Sequence, residues 1–206
     1  MFENDVLDFF SRCHPLVVPV LYVPGVLLAL AASARLSRLS VASTILLFTA
    51  GTLAWTLAEY WLHRIVFHFQ GASAMSKRLH FLAHGVHHHW PHDKYRLVMP
   101  PGVSVPLYFG CLCLSLAMFG SAGWAVHAGF VFGYAYYDLT HWRLHHGRPR
   151  TAYGRRLRRH HLLHHFKETD ARFGVSNLVW DKVFGTSGEA IAPDTRSVRF
   201  SKGERR

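Results

Sequence analysis

Residues 41–68 read "VASTILLFTAGTLAWTLAEYWLHRIVFH", an apolar run that ends in two histidines five positions apart. Val41–Leu62 matches the roughly 20 residues a helix needs to cross a bilayer core of about 30 Å. Three further runs share this character: Leu16–Ala34, Val103–Gly120 and Gly123–Leu139. Four apolar runs of this length in a chain of 206 residues argue against buried helices of a soluble protein. The chain therefore reads as an all-α, multi-pass integral membrane protein with four transmembrane helices. Cys111 and Cys113 lie inside an apolar run, two positions apart, and read as core residues that form no disulfide.

Charge orients this arrangement. The formal net charge is +11, and of the 23 Lys and Arg only Arg12, Arg35 and Arg38 precede residue 64. The other basic residues lie in two polar blocks, His63–Met99 and His141–Arg206. The positive-inside rule puts both blocks on the cytoplasmic face. The short connection "GSAG" between the third and fourth runs agrees with a hairpin, while Arg35 and Arg38 fall on the opposite face, against the rule. Glu3, Asp5 and Asp8 before the first run are the reverse of a basic signal-peptide n-region, so Met1–Pro15 reads as an amphipathic lead-in at the membrane surface. No nucleic-acid recognition motif accompanies the basic charge. "RRLRR" (Arg155–Arg159) suits lipid phosphates, or more weakly an acidic protein. Trp61, Trp90, Trp142 and Trp180 read as interfacial anchors.

Of 17 histidines, all but His14 and His127 fall in the two polar blocks. Their spacing sorts them. His63 and His68 follow the second run; five residues on an α-helix turn about 140°, so they diverge and suit two neighbouring ions. His84, His87 and His88 in "HGVHH" share a helical face. His141 and His145 are four apart beyond the fourth run, and His161, His164 and His165 repeat the H-x-x-H-H pattern. Ten imidazoles are too many for one ion and enough for a dimetal centre with five each. Neutral imidazole suits iron, zinc, copper or nickel, not magnesium or calcium. His80, one turn before His84, reads as support for a ligand. His89, His92, His146 and His160 should point elsewhere, and His127, inside a span, reads as a satisfied core histidine.

"HRIVFH", "LHFLAHGVHHHWPHDKYRLVMPP", "YYDLTHWRLHHG", "HHLLHHF" and "FGVSNLVWDKVFGT" resemble, in order and spacing, the fatty acid 2-hydroxylases of the fatty acid hydroxylase and sterol desaturase superfamily. The likeness covers about Glu59 to Thr186. It implies four spans with a cytosolic, histidine-rich helical cap over two iron ions, which zinc replaces in some preparations, and hydroxylation of C2 of a fatty acyl chain, free or in a ceramide, by dioxygen. The implied ligands are His63, His68, His84, His87, His88, His141, His145, His161, His164 and His165. The organisation would be a lead-in and first span (1–40), a hydroxylase domain (41–188) and a basic tail (189–206). Fungal and animal members carry a fused cytochrome b5-like domain. No haem-binding module fits before the second run here, so electrons are expected from a separate cytochrome b5, ferredoxin or reductase.

An unactivated C–H bond resists every amino-acid side chain, whereas redox metal with dioxygen breaks it. Tyr137 and Asp138 directly precede the His141 pair. Asp138 reads either as an acceptor for an imidazole N–H or a holder of the acyl head group, or else as a helix-end acid beside an interfacial tyrosine. Asp181 in "WDK" reads as structural. Other outcomes within the superfamily, such as sterol or carotenoid oxidation, share the ligand pattern, but "DKYRLVMPP" favours an acyl substrate. A metal transporter would place ionisable groups near mid-bilayer, and these runs hold almost none.

Overall fold

The computed structural model describes residues 8, 12–69 and 71–188, and among these no strand occurs. The tail 189–206 and most of the N-terminal lead-in lie outside the described residues. Five elements build the bundle: α1 (Val17–Leu36), α2 (Val41–Trp61), α5 (Pro101–Phe119), α6 (Gly123–His146) and the shorter α7 (Ala152–Phe166). Between α2 and α5 lie α3 (Ala74–His80) and α4 (Val86–His89), and α8 (Val179–Val183) closes the described chain. Side-chain caps start three of them: Ser40 accepts from the Ser43 N–H, Ser73 from Ser76 and Thr151 from Gly154.

Three helical stretches are long and apolar enough to cross a membrane: Val17–Leu36, Val41–Phe67 and Pro101–His146. The last is not one rod. At Gly120 the backbone takes φ 55°, a conformation glycine adopts without strain, and α6 returns along α5. Tyr108 of α5 meets His127 of α6, and Asp138, further along, bonds the Met99 N–H just before α5.

α6 is the central element, packed against α1, α2 and α5. It can be central because its buried face is small: Ala125, Ala128, Gly129, Gly133 and Ala135 let neighbouring backbones approach. A Cβ on Gly129 would lie 1.9 Å from the Phe48 carbonyl oxygen, and one on Gly51 would lie 2.1 Å from that of Val126. α5, by contrast, buries only Ser104. Large apolar side chains such as Leu28, Val41, Leu46 and Met118 face outward, as lipid contact requires.

Two core expectations fail. Cys113 is exposed and Cys111 only half-buried, because α5 is peripheral; the buried cysteine is Cys13. His127 is fully buried but not satisfied: neither ring nitrogen has a hydrogen-bond partner, since its surroundings are apolar or aromatic.

Candidate metal centre

The ten histidines gather where α2 and α6 end, and they form two groups of five. One holds His63, His68, His84, His88 and His164; the other holds His87, His141, His145, His161 and His165. Within each group the candidate ligand atoms all lie within 4.8 Å of one another.

Helix geometry explains the sorting. Each H-x-x-H-H motif gives its i, i+4 pair to one group and its middle histidine to the other. His84 and His88 join the first group while His87 crosses to the second. His161 and His165 join the second while His164 crosses to the first. Consecutive residues are about 100° apart, so neighbours such as His87 and His88 diverge. The expectation that His84, His87 and His88 act from one shared face is therefore corrected. The expected divergence of His63 and His68 is corrected too. Leu62–Phe67 is wound as a π-helix, whose i→i+5 pitch brings residues five apart onto one side. The two rings lie 5.1 Å apart, in the same group. A second π turn, Phe81–Gly85, carries His84.

Nε2 atoms point inward. In the first group, His84 Nε2 lies 3.1 Å from that of His63 and 2.9 Å from that of His88, and His68 and His164 approach to 3.0 Å. In the second, His161 Nε2 is 2.8 Å from His145 and 3.1 Å from His165. Spacing near 3 Å is that of adjacent nitrogen ligands about 2.0–2.1 Å from one ion. The Nε2 atoms of His87 and His141 are buried with no hydrogen-bond partner, the state of a nitrogen aimed at an ion. All-imidazole donors suit a transition metal, so these residues fit one.

Burial, reinforced by neighbouring imidazoles, holds the rings neutral. It lowers His68 and His164 to about 4 and His88 to about 3, and lowers His84, His87, His161 and His165 as well. A neutral ring is the ligand form.

The spare residues take other roles. His80 is half-buried at the end of α3, within electrostatic reach of His68 and His88. His89 Nδ1 donates to the Gly85 carbonyl, and His92 is exposed. His160 turns away from both groups and meets Asp181 at 2.9 Å. Tyr137 is buried with its ring stacked on His141 at 5.8 Å. Asp138 is buried within α6, two turns before its end, so it is no helix-end residue; it accepts from Tyr134 Oη at 3.0 Å and from the Met99 N–H at 3.2 Å. No bond to an imidazole is among these contacts.

A cavity of about 420 Å³ opens against the centre, lined by His84, His87, His141, Tyr137 and Asp138 and by apolar residues including Leu62, Met99 and Leu107. Those three also line a second, nearly wholly apolar cavity of about 240 Å³ that runs between α1, α5 and α6 to Tyr108 and Cys111.

Two features that motif spacing does not reveal are built into the site: Glu59, one turn before His63, and the stretch 171–176, whose carbonyls receive His63 and His164.

Fold and site together define a helical protein with membrane-length apolar helices and a histidine cluster able to bind metal. The fatty acid hydroxylase family model matches residues 48–186, and the chain belongs to that family of metal-dependent membrane oxidoreductases acting on lipids. It is 39% identical to a dihydroceramide fatty acyl 2-hydroxylase of Arabidopsis thaliana, over 90% of this chain and 78% of that one. A ceramide very long chain fatty acid hydroxylase of Saccharomyces cerevisiae is 41% identical and the human fatty acid 2-hydroxylase 35%. The matches cover 89% and 90% of this chain but 48% and 56% of those proteins. Among solved structures, full-length scs7p, in which only the hydroxylase domain is visible, matches with a TM-score of 0.85 at 38% identity. That match covers 94% of this chain and 72% of the other.

Proposed function

We propose that this protein is a membrane-bound, dioxygen-dependent di-iron enzyme that hydroxylates C2 of a fatty acyl chain, free or in a ceramide. The ten histidines are the ligands, five to each ion, and electrons come from a separate protein. The chain crosses the membrane four times, α5 and α6 each spanning it, since 46 residues of helix would far exceed a bilayer at about 1.5 Å per residue. The histidine-rich cap faces the cytoplasm, where the basic blocks belong.

The observation that carries this reading is the meeting of two five-imidazole groups with a cavity that is polar at the histidines and apolar away from them. Bound there, the iron pair supplies the dioxygen chemistry that no side chain offers. The rest falls to the protein. Leu62, Met99 and Leu107 line both the cavity at the centre and the apolar one beside it, a boundary that suits an acyl tail and excludes water. Only a carbon close to the head group then lies beside the histidines. Tyr137 and Asp138 line that end of the cavity, where an acyl carbonyl would sit.

The test is expression in a host whose membranes lack 2-hydroxylated lipids, followed by lipid mass spectrometry. A 2-hydroxy acyl product that disappears in His161→Ala is expected. Hydroxylation elsewhere on the chain, or no product from folded, iron-loaded protein given a reductant, would refute the assignment.

A further inference from the structure

The stretch Ala171–Ser176 is bonded on both of its sides. The Phe173 and Gly174 N–H groups donate to Asp181 Oδ1 and Oδ2 at 2.9 and 2.8 Å, and the next two, at Val175 and Ser176, donate to Glu59 Oε1 at 2.9 and 2.7 Å. Two carboxylates thus hold four consecutive backbone donors. Ser176 Oγ donates to the other Glu59 oxygen, while Thr186 Oγ1 and His160 Nε2 complete the shell of Asp181 at 2.8 and 2.9 Å. Both carboxylates are buried, Glu59 3% exposed and Asp181 0%, and both oxygens of each accept hydrogen bonds, as buried polar groups require. Gly174 is required: a Cβ would lie 2.2 Å from the Asn177 carbonyl oxygen and 2.7 Å from Asp181 Oδ2.

The carbonyls of the same stretch serve the metal centre. Phe173 O accepts from His63 Nδ1 at 2.6 Å, and Ala171 O accepts from His164 Nδ1 at 2.7 Å. A carbonyl only accepts, so each Nδ1 carries the proton and each Nε2 keeps its lone pair for an ion. His63 and His164 both belong to the first group. Among the described residues the second group shows no such bond to a carbonyl, and the Nδ1 atoms of His161 and His165 are buried without a hydrogen-bond partner there.

We propose that Glu59 and Asp181 are positioning residues for one of the two ions: through residues 171–176 they fix His63 and His164, so the first group holds its ion more tightly than the second. This rests on the ten-histidine reading above. Glu59 and His63 lie one turn apart on the same helix and grip the same stretch, which closes a rigid loop between helix, carboxylate, backbone and imidazole. Outer hydrogen-bond partners of this kind are typically worth about 10- to 100-fold in metal affinity.

The experiment uses the full chain in detergent or nanodiscs, loaded with Zn²⁺ or Co²⁺, with ion content and release to a chelator as readouts. H141A/H145A isolates the first group and H63A/H68A the second. Glu59→Ala should weaken retention about 10- to 100-fold in H141A/H145A and leave it unchanged in H63A/H68A. Glu59→Gln, which keeps an acceptor oxygen for Val175 and Ser176, should restore most of the loss. Ser176→Ala, which removes only one hydroxyl, should give a smaller loss with the same selectivity even if Glu59→Ala fails to fold. Wild-type protein should release its ions in two phases, the slower one missing from Glu59→Ala. Equal effects in both backgrounds, or none in either, would overturn the positioning role alone. Failure of both backgrounds to hold an ion would overturn the ten-histidine assignment with it.

Discussion

The apolar half of the bundle and its histidine-rich end are held together in opposite ways. Between α2 and α6 the contact depends on what is missing: Gly51, Gly129 and Gly133 have no side chain, and backbone meets backbone or Trp55. At the polar end the contact depends on what is present: buried Glu59, Asp181 and His160 knit the stretch 173–186 to α2 and α7. The environments account for this. Between helices in lipid there is no hydrophobic driving force, so close approach and dispersion must serve. Away from lipid, buried polar groups are tolerated when bonded. The two halves meet on the same helices, because α2 and α6 carry the glycine contacts and, beyond them, the His63–His68 and His141–His145 pairs. A shift in the apolar seam is therefore a shift in the metal centre.

The largest effect should come from the polar end. His88→Ala removes one of the five Nε2 donors of the first group and should reduce 2-hydroxy product per expressed protein to background. His92→Ala, at an exposed position outside both groups, should keep most of the activity and both ions. Full activity in His88→Ala, or complete metal loss in His92→Ala, would show that the two groups are drawn wrongly.

Next comes the seam itself. Gly129→Leu places carbon where the Phe48 carbonyl stands, so α2 and α6 must part; overpacking of this kind costs about 1–3 kcal/mol or more. The thermal midpoint in detergent should fall and ion content should fall with it, since the histidine pairs ride on those helices. Gly110→Ala on α5, where an added Cβ meets nothing within 4 Å, should be neutral to slightly stabilising. Equal damage from both would mean that α5 is as tightly packed as α6.

Acid should separate the halves. His68 and His164 are lowered to about 4 and His88 to about 3 in the fold, chiefly by burial, against about 6.5 for a free imidazole. A depressed histidine favours the neutral ring in the folded state. Its contribution is complete above about pH 6.5 and is lost as pH falls toward 4, while protons also displace metal. Metal-free protein titrated from pH 7 to 4 should lose the order of its histidine end, seen as hydrogen exchange in 81–89 and 160–176, before the α2–α6 seam yields. Simultaneous loss would show that the halves unfold as one unit.

Much of this was legible in the sequence because it depends on local period. Apolar runs of membrane length mark the helices, and i, i+4 histidines mark the shared faces. Two sets of five were legible, but not which histidine joins which: the H-x-x-H-H triplets split across both groups, and His63 joins His68 only because Leu62–Phe67 is wound as a π-helix, which no spacing rule reveals. Nor was Glu59, which reads as one acid in an apolar run and finds its partners more than a hundred residues away, at Val175 and Ser176. The helix-end alternative for Asp138 fails because the apolar pattern stops there while α6 continues through a mixed polar and aromatic stretch to His146. His127 differs for the opposite reason: its place in a span foretells burial, but the aromatic and apolar neighbours there offer its ring nitrogens no partner.

The smallest effect distinguishes the two modes of adhesion within the seam. Thr52 Oγ1 lies 3.0 Å from the Phe48 carbonyl oxygen on its own helix and 3.1 Å from the Gly129 carbonyl oxygen on α6. Its one proton is shared, so it is the polar contact most directly at the glycine approach. Thr52→Val keeps the shape and removes the hydroxyl. If packing holds the seam, the loss should be about 0.6 kcal/mol, the average for hydrogen bonds between membrane helices, and ion content should not change. The measurement is equilibrium unfolding in mixed micelles, with Gly129→Leu as the reference for a broken seam. A loss above about 2 kcal/mol, beyond the upper end for such bonds, would mean that the threonine rather than the glycines holds α2 to α6. The apolar half would then follow the same rule as the histidine end.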